Sequence, residues 1–457
     1  MLDIQVKNKL IKITGPDRYL DRPEELACYA YDAFVVEALP DAVMFPKTTR
    51  EVSDILKIAS KFKLPITGRG AGTSVCGAPV PIQHGIVLCF SKMDTIIEVN
   101  TRDRYIVVQP GVVNGDIQNA LAPFGFFYPP DPGSMNTSTI GGNIAQNAGG
   151  PRCLKYGVTV DYVLGMEVVL ASGKIIRFGS KNVKDVTGYK LSSLFCGSEG
   201  TLGIITEATL KVLPKPETVK TLMVTFDNLD NTANAVTDII GSGILPAAME
   251  LMDQMTLNAI EDSANLGLNR EAQGSLLIEI DGVKEACEKE MKNIIKKVKE
   301  NGAIHIQEAT SDKEREKLWA ARRSAYGVFA KLAPDIVSED VTVPVSKVPL
   351  MIRKIVEITD KYKLKAGVLA HAGDGNMHPM IPADRENKEE WQRVEKAFSE
   401  IFQAAAELGG TLSGEHGIGL AKSSYLHLVM NKDTIDFMKT IKQAVDPDLI
   451  LNPGKFV

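Results

Sequence analysis

The sequence lacks several features that would assign it to a class at once. Its six cysteines show no C-x-x-C spacing, so neither a disulfide framework, an iron–sulfur cluster nor a c-type haem is indicated, and we expect buried thiols. A net charge of −5 without a block of basic residues excludes a nucleic-acid-binding protein. No apolar run approaches the roughly 18 residues of a membrane span, and the first residues lack the apolar core of a signal peptide. We therefore expect a cytoplasmic protein.

The familiar nucleotide-binding signatures are also missing. The loop 68–74, G-R-G-A-G-T-S, follows a predicted strand, but Thr73 or Val75 stands where a Rossmann G-x-G-x-x-G motif needs its third glycine. Pro79 and Pro81 stand where that motif needs a helix. No P-loop occurs either. The loop can still bind a phosphate, because successive N–H groups in a glycine-rich turn form an anion-binding nest, to which Thr73 and Ser74 add hydroxyl donors. Glycine loops are usually simple turns, so this pattern favours no function by itself.

The length of 457 residues, with 44% hydrophobic and 24% charged residues, is typical of a globular protein of two or three domains. Pro214 and Pro216 mark a boundary, because proline breaks both helix and strand. Before it, short strands surround a helix that begins at the capping-box pair Thr48 and Glu51. Beyond it, strands and amphipathic helices alternate. The pattern favours an α+β domain with helices packed on one face of a mainly antiparallel sheet.

Residues 129–150 form an unusual small, polar stretch without helix or strand periodicity. A loop of this length in a compact domain is usually functional or disordered, and the apolar segments on both sides argue against disorder. Small residues let the backbone lie against an extended ligand. Ser134, Ser138, Thr139 and Asn143 can donate hydrogen bonds to such a ligand.

The segment 369–378, L-A-H-A-G-D-G-N-M-H, predicts a metal-binding hairpin. Asp374 and Gly375 fit a two-residue type I′ turn, which would place His371 directly opposite His378. Facing Cβ atoms lie about 4.5–5.5 Å apart, so two imidazoles there can share one ion at metal–nitrogen distances of about 2.0–2.1 Å.

A second segment, 413–419, offers a carboxylate and another imidazole between glycines. Glu415 and His416 are adjacent, and adjacent side chains of a strand point to opposite faces. They can enter one site only from an irregular turn, which the flanking glycines permit. A His₂Glu set with open positions suits Zn²⁺, Mn²⁺ or Fe²⁺.

Taken together, the motifs at 68–74, 131–143, 196–206, 371–378 and 414–419, with the terminal N-P-G-K, resemble the FAD-linked 2-hydroxy-acid dehydrogenases. This family includes the D-subunit of glycolate oxidase, FAD-dependent D-lactate dehydrogenases and D-2-hydroxyglutarate dehydrogenase. The resemblance implies an α+β protein with a non-Rossmann, two-subdomain FAD-binding domain of the vanillyl-alcohol-oxidase/PCMH type and a ferredoxin-like cap. The implied divisions are an N-terminal helical segment at 1–36, the FAD-binding domain at 37–215, the cap with the metal site at 216–425, and a segment at 426–457 that returns to the flavin.

The resemblance also implies site residues. Those for FAD are Arg69, Gly70, Ala71, Gly72, Thr73 and Ser74 at the pyrophosphate, Pro132, Ser134, Ser138, Thr139, Gly142 and Asn143 along the flavin, Gly200, Gly203 and Ile205 near the nucleotide, and Asn452 close to the isoalloxazine. No histidine lies between Leu64 and Gln83, near the first glycine loop, where relatives with covalent FAD carry one, so the implied attachment is noncovalent.

For the chemistry, the resemblance implies His371, His378 and Glu415 as ligands of a divalent metal. It further implies His416 as the base and Arg322 as the residue that binds the substrate carboxylate. The expected reaction is oxidation of a small 2-hydroxy acid, lactate (D-lactate first) or glycolate, with hydride transfer to FAD. D-2-hydroxyglutarate is the alternative substrate.

The chain carries no signature of a second redox centre, which leaves direct oxidation by O₂ open. The resembling families mostly pass their electrons to another protein or to a quinone, so the resemblance implies a separate electron-acceptor protein. An electron-transferring flavoprotein is the first candidate and an iron–sulfur subunit is the second. Two readings from other classes remain open at this point: a metal-dependent hydrolase whose glycine loops are only structural, and a non-catalytic flavin-binding subunit.

Overall fold

The computed structural model describes residues 2–456, which form two compact units. The first unit comprises residues 2–149, 158–215 and 415–456, and the second comprises residues 150–157 and 216–414. The segment 150–157 thus belongs to the second unit although it lies inside the FAD-binding range expected from the sequence. The chain returns to the first unit at residue 415, whereas the expected boundary lies at 425.

The regular elements are numbered along the chain. The strands are β1 Tyr19–Leu20, β2 Ala42–Met44, β3 Ile66–Arg69, β4 Ile86–Cys89, β5 Ile96–Asn100, β6 Tyr105–Val108, β7 Phe126–Phe127, β8 Val163–Val169, β9 Ile175–Gly179, β10 Ile204–Lys211, β11 Leu213–Pro214, β12 Thr218–Phe226, β13 Ala248–Asp253, β14 Gly274–Gly282, β15 Ala303–Glu308, β16 Asp335–Ser338, β17 Val341–Thr342, β18 Gly367–His371 and β19 Asn376–Ala383. The α-helices are α1 Ile4–Thr14, α2 Pro23–Leu26, α3 Thr49–Phe62, α4 Asn114–Leu121, α5 Ile140–Gln146, α6 Cys153–Tyr156, α7 Leu191–Phe195, α8 Leu229–Gly241, α9 Gln254–Ala264, α10 Lys284–Glu300, α11 Asp312–Phe329, α12 Val348–Lys361, α13 Lys388–Glu407 and α14 Lys432–Val445.

The first unit contains two main sheets. One has the order β1-β2-β4-β3, with β2 and β3 both parallel to β4. The other is antiparallel, in the order β5-β6-β10-β8-β9, and β7 pairs separately with β11. Helix α3 begins at the predicted cap, where the Thr48 side chain accepts from the Glu51 amide at 3.2 Å. The buried face of α3, including Ile55 and Leu56, packs into the core of the parallel sheet.

Helix α5 corrects the expectation that residues 129–150 carry no regular structure. The sequence did not predict this helix, because its small residues show no amphipathic periodicity. They serve close packing instead: a Cβ added at Gly141 would lie 2.6 Å from Cβ of Pro110. The first amides of α5 are bonded to the segment that follows β6: Ile140 N donates to Val112 O and Gly141 N donates to Pro110 O, both at 2.8 Å.

The second unit is built on one antiparallel sheet, in the order β15-β12-β14-β13-β18-β19-β16, with β17 also paired to β19. The antiparallel α+β arrangement predicted for this half of the chain is therefore confirmed. Its core includes Met252, Leu277, Phe329 and Leu369, which are at most 4% exposed. The central strands β13 and β18 supply the residues on which the candidate site is built.

Four of the six cysteines are buried as expected, whereas Cys153 is half-buried and Cys28 is exposed. No two of them are joined in a disulfide among the residues that the structure covers. No helix between residues 2 and 456 combines the length and the apolar character needed to cross a membrane.

A buried ion pair fixes the last segment of the first unit. Lys442 Nζ contacts the Asp446 carboxylate and donates to Thr201 O at 2.6 Å and to Leu451 O at 2.8 Å. Asp446 is fully buried and in turn accepts from the amides of Ile450 and Leu451. The segment so held lies beside β3, where it makes a parallel bridge to Ile66.

We expect Lys442→Met to destabilise the first unit by about 3–5 kcal/mol, because it leaves the buried Asp446 carboxylate without its counter-charge. Urea unfolding of the variant measures the loss. Lys439→Met is the matched control: Lys439 lies exposed on the same helix, and its replacement should change the free energy of unfolding by no more than about 0.5 kcal/mol. Equal unfolding midpoints for the two variants would contradict this prediction.

Candidate active site and cofactor-binding loops

The first glycine loop is held in place by the segment between β1 and β2. Arg69 is buried, and its Nη1 donates to Tyr31 O at 2.8 Å. The guanidinium lies over Gly72, where an added Cβ would fall 2.2 Å from Nη2. Burial lowers the pKa of Arg69, and nearby acidic groups such as Asp32 oppose that effect. The conformation of the loop is thus fixed partly by Arg69, the residue that the resemblance assigns to the pyrophosphate.

Several residues expected to line the flavin carry buried polar atoms that lack a hydrogen-bond partner. These are Ser138 Oγ, Thr139 Oγ1 and Asn143 Nδ2, and each residue is at most 6% exposed. Thr139 also adjoins the first glycine loop, since a Cβ at Gly70 would lie 2.1 Å from its hydroxyl. Buried polar groups are nearly always paired in native proteins. An extended polar ligand such as FAD fits these loops, because its phosphate, ribityl and ring atoms would supply the missing partners.

The other residues assigned to FAD have structural partners of their own. A Cβ at Gly203 would lie 2.5 Å from Val168 Cγ1, so this glycine is required by packing between strands. Ile205 is buried on β10 opposite Val168. Asn452 is buried, and its Nδ2 donates to Ala78 O and Glu199 O. Their assignment to the cofactor stays a prediction.

The hairpin that carries the two histidines has a different register from the predicted one. His371 pairs with Asn376, and His378 pairs with Leu369, so residues 372–375 form the loop. Of the two central residues expected in a type I′ turn, only Gly375 has positive φ. The wider loop forms because His371 O accepts from the amides of both Asp374 and Gly375, while Asp374 Oδ1 accepts from Asn376 N at 3.2 Å.

The two imidazoles nevertheless lie together, because the new register makes them diagonal neighbours on one face of the sheet. Their ring centroids are 5.1 Å apart and the rings are nearly perpendicular. Both residues are 5% exposed. One ligand atom from each of His371, His378 and Glu415 lies within 4.8 Å of the others, and His416 is not part of this group. Two imidazoles and one carboxylate form a donor set that fits a divalent transition metal.

Glu415 and His416 lie in a bend at 414–416, which confirms the predicted irregular turn. The start of the bend is hydrogen-bonded to the buried carboxylate of Asp340, which accepts from Ser413 Oγ at 3.0 Å and from Gly414 N at 2.7 Å. Glu415 is bonded directly to Gly414. Asp340 therefore fixes the chain immediately before Glu415, the predicted metal ligand.

Glu250 is a site residue that sequence reasoning missed. It is fully buried on β13, and its Oε1 lies 2.8 Å from Nδ1 of His371. A carboxylate only accepts, so Nδ1 carries the hydrogen and Nε2 is left with the lone pair that a metal needs. Burial alone would raise the pKa of Glu250, but His371 and Arg322 outweigh that effect and hold its pKa below the ordinary value.

Arg322 contacts the other oxygen of the same carboxylate. Its Nε donates to Glu250 Oε2 at 2.6 Å, and its side chain is 12% exposed. That bond uses Nε alone, so the two terminal nitrogens can present a fork to a second carboxylate. The signal that could have revealed Glu250 is its place in the otherwise apolar run 246–252, P-A-A-M-E-L-M, where a buried glutamate needs a charged partner.

We expect Glu250→Gln to weaken metal binding by about 10–100-fold. The amide can offer an oxygen to only one of its two donors. If its NH₂ faces His371, Nδ1 must accept and the hydrogen moves to Nε2, which then cannot bind a metal. Competition with a chromophoric chelator measures the affinity. Glu279→Gln is the control, because Glu279 is a buried glutamate of the adjacent strand that accepts from Thr221 and Trp319; equal losses in both variants would contradict the prediction.

Comparison with known proteins identifies the family. Residues 215–456 match the family described as FAD linked oxidases, C-terminal domain, and residues 40–179 match the FAD binding domain. The chain is similar over its full length to the glycolate oxidase subunit GlcD of Bacillus subtilis (strain 168), with 49% identity covering 100% of this chain and 97% of the relative. It is 35% identical to a D-lactate dehydrogenase of Archaeoglobus fulgidus, over 98% of each chain.

A solved structure shows the same fold. The crystal structure of p-cresol methylhydroxylase with substrate bound superposes with a TM-score of 0.78 at 19% identity, covering 99% of this chain and 96% of the other. The predicted fold class, α+β with a non-Rossmann FAD-binding domain of the PCMH type, is therefore confirmed. The chain belongs to the FAD-linked oxidases.

Proposed function

We propose that this protein is an FAD-dependent dehydrogenase of a small 2-hydroxy acid, either lactate in its D form or glycolate, and that it produces the 2-oxo acid. The names of the relatives, a glycolate oxidase subunit and a D-lactate dehydrogenase, support this substrate class. The observation that carries the proposal is the placement of Glu250 between His371 and Arg322, at 2.8 and 2.6 Å. One carboxylate thereby sets a metal ligand and a carboxylate-binding group side by side.

A 2-hydroxy acid matches that pair of groups. Its carboxylate can accept two hydrogen bonds from the terminal nitrogens of Arg322, which fixes the orientation of the α-carbon. His371, His378 and Glu415 would hold a divalent metal, which when bound supplies Lewis-acid chemistry at the hydroxyl. Glu250 keeps His371 in the required tautomer and at the same time limits the movement of Arg322.

The proton and the electrons leave by different routes in this proposal. His416 takes the hydroxyl proton, since imidazole has the pKa range suited to a base near neutral pH. FAD, when bound, supplies the two-electron acceptor for the C–H bond. The substrate thus loses two electrons and two protons and becomes the 2-oxo acid. We propose noncovalent FAD, held by the loops at 68–74 and 132–143.

Anaerobic mixing with a panel of D- and L-2-hydroxy acids tests the substrate class. We expect D-lactate or glycolate to bleach the flavin absorbance, with D-2-hydroxyglutarate as the competing candidate in the same panel. A protein that stays oxidised with every acid would overturn the proposal. Hydrolysis of ester or amide substrates without any flavin change would favour the metal-dependent hydrolase.

We further propose that the electrons pass to a separate protein, because the chain has no cysteine spacing for an iron–sulfur cluster and no nicotinamide fingerprint. A relative that is itself named a subunit supports a partner. An electron-transferring flavoprotein is the first candidate and an iron–sulfur subunit the second. Reoxidation of the substrate-reduced protein by each carrier, by O₂ and by NAD⁺ decides; rapid multiple turnover with O₂ or NAD⁺ alone would exclude a carrier. The cytoplasmic location stays a prediction.

A further inference from the structure

The loop that carries Glu415 and His416 is held inside the first unit by a buried carboxylate that has no role in the proposed reaction. Glu199 Oε1 accepts from Ile418 N at 2.7 Å and from Gly419 N at 3.1 Å, and its Oε2 accepts from Gly419 N at 2.9 Å. Glu199 is 4% exposed. These bonds fix the chain two residues beyond the predicted base.

The backbone of Glu199 is itself fixed on both sides. Its amide donates to Ala145 O at 2.8 Å, at the end of α5, and its carbonyl accepts from Asn452 Nδ2 at 2.7 Å. Its φ of 53° is a left-handed conformation that a non-glycine residue rarely adopts. The backbone of Glu199 is therefore held in one conformation by its hydrogen bonds on both sides.

The 415–419 loop packs closely against Glu199 and its neighbours at two glycines. Gly417 has a φ of 87°, and a Cβ there would lie 2.1 Å from Gln146 Oε1 and 2.9 Å from Glu199 Oε1. A Cβ at Gly419 would lie 2.2 Å from Cys76 O. Gly419 therefore serves close approach to the backbone of the first unit, and Gly417 close approach to the side chains of Gln146 and Glu199, in addition to allowing the turn.

The pKa of Glu199 reflects both its burial and the groups that donate hydrogen bonds to it or lie near it. Burial raises the pKa of Glu199 to about 7, while the amides of Ile418 and Gly419 and then the buried Lys422 and Lys455 oppose this. A buried carboxylate without such donors would be strongly unfavourable. The bonds to the loop are thus part of what allows the charge to be buried.

We propose that Glu199 is a positioning residue for the oxidation: through the amides of Ile418 and Gly419 it fixes the 415–419 loop and so sets where Glu415 and His416 stand. This inference rests on the proposed function, in which Glu415 binds a metal and His416 is the base. A misplacement of about 1 Å can cost about 10²-fold in rate, so a support two residues from the base is expected to matter.

The test compares Glu199→Ala and Glu199→Gln with the wild-type holoenzyme. Amide hydrogen exchange at Ile418 and Gly419 should be at least about tenfold faster in Glu199→Ala, and the rate constant of flavin reduction by substrate should fall about 10²-fold. The change in KM should be smaller. FAD content and reduction by dithionite should match the wild type.

Glu199→Gln provides a graded outcome. An amide oxygen at the Oε1 position can still accept from Ile418 and, at 3.1 Å, from Gly419, but the NH₂ group at the Oε2 position faces the Gly419 amide, donor against donor. We expect both the exchange rate and the reduction rate to fall between wild type and Glu199→Ala. If Glu199→Ala does not fold, Glu199→Gln carries the test alone, with Ile418 less affected than Gly419.

Glu167→Gln is the matched control. Glu167 is also buried in the first unit, where it accepts from Thr49 Oγ1 and Thr206 Oγ1 and contacts the loop at neither amide. It should leave exchange at 418–419 and flavin reduction unchanged. Unchanged exchange in the Glu199 variants, or faster exchange with a reduction rate within about threefold of wild type, would overturn the positioning role. A wild-type protein that no 2-hydroxy acid reduces would instead overturn the proposed function and, with it, the role of Glu199 in it.

Discussion

Replacing His378 with alanine should abolish substrate oxidation while FAD stays bound. The change removes one of the three groups whose ligand atoms lie within 4.8 Å of one another. A Lewis acid contributes several kcal/mol to the transition state, and each 1.36 kcal/mol is a factor of ten, so we expect a loss of about 10³-fold or more. FAD should be retained, because the loops assigned to it lie in the first unit, whereas His378 belongs to the second.

Metal content by mass spectrometry and flavin bleaching by substrate are measured on the same preparations. Treatment of the wild type with a chelator should reproduce the loss, and adding back Zn²⁺, Mn²⁺ or Fe²⁺ in turn should restore the wild type but not the variant. His305→Ala is the control, since His305 is an exposed histidine on β15 of the same unit. Full turnover by a metal-free wild-type preparation would refute the metal-assisted mechanism.

Replacing His416 with alanine should slow flavin reduction by about 10²–10⁴-fold, which is the usual contribution of a positioned base. Metal content should not change, because His416 lies outside the group of side chains that can share one ion. The two histidine variants therefore separate the two roles: His378→Ala loses metal and activity together, whereas His416→Ala loses activity alone.

Rapid mixing under anaerobic conditions gives the rate constant of flavin reduction directly, free of any later electron transfer. His427→Ala is the matched control, because His427 is exposed and its Nδ1 already contacts Ser424 O at 2.9 Å. A His416→Ala protein that lacks stoichiometric metal would show that His416 is a ligand. Wild-type reduction rates in that variant would show that the base is another group.

Much of the second unit could be predicted from periodicity. The amphipathic helices expected beyond Pro216 are observed, among them Lys284–Glu300, Lys388–Glu407 and Lys432–Val445. Their apolar stripes are long and regular, and such patterns survive tertiary packing. Helix α5 was not predicted, because close packing against Pro110 selected glycine at 141, where an amphipathic helix would have carried a larger residue.

At the candidate site, local sequence patterns predicted neither the register of the hairpin nor the long-range partner of His371. Turn chemistry suggested a two-residue hairpin, but the register is decided by where the carbonyl of His371 and the side chain of Asp374 find their hydrogen bonds. The histidines still meet, since a shift of two positions keeps a residue on the same face. Glu250 was not found, because it lies 121 positions before His371, and such pairings follow from sheet order alone.

The pairing of the last segment with Ile66 also constrains how the protein is made. During synthesis, the strands β2, β3 and β4 leave the ribosome long before residues 446–452, which supply the bridge to Ile66 and the carboxylate that pairs with Lys442. The continuous stretch 216–414, which forms most of the second unit, emerges in between. The edge of β3 that pairs with Leu451 therefore stays unpaired in the nascent chain until residues 446–452 have been synthesised.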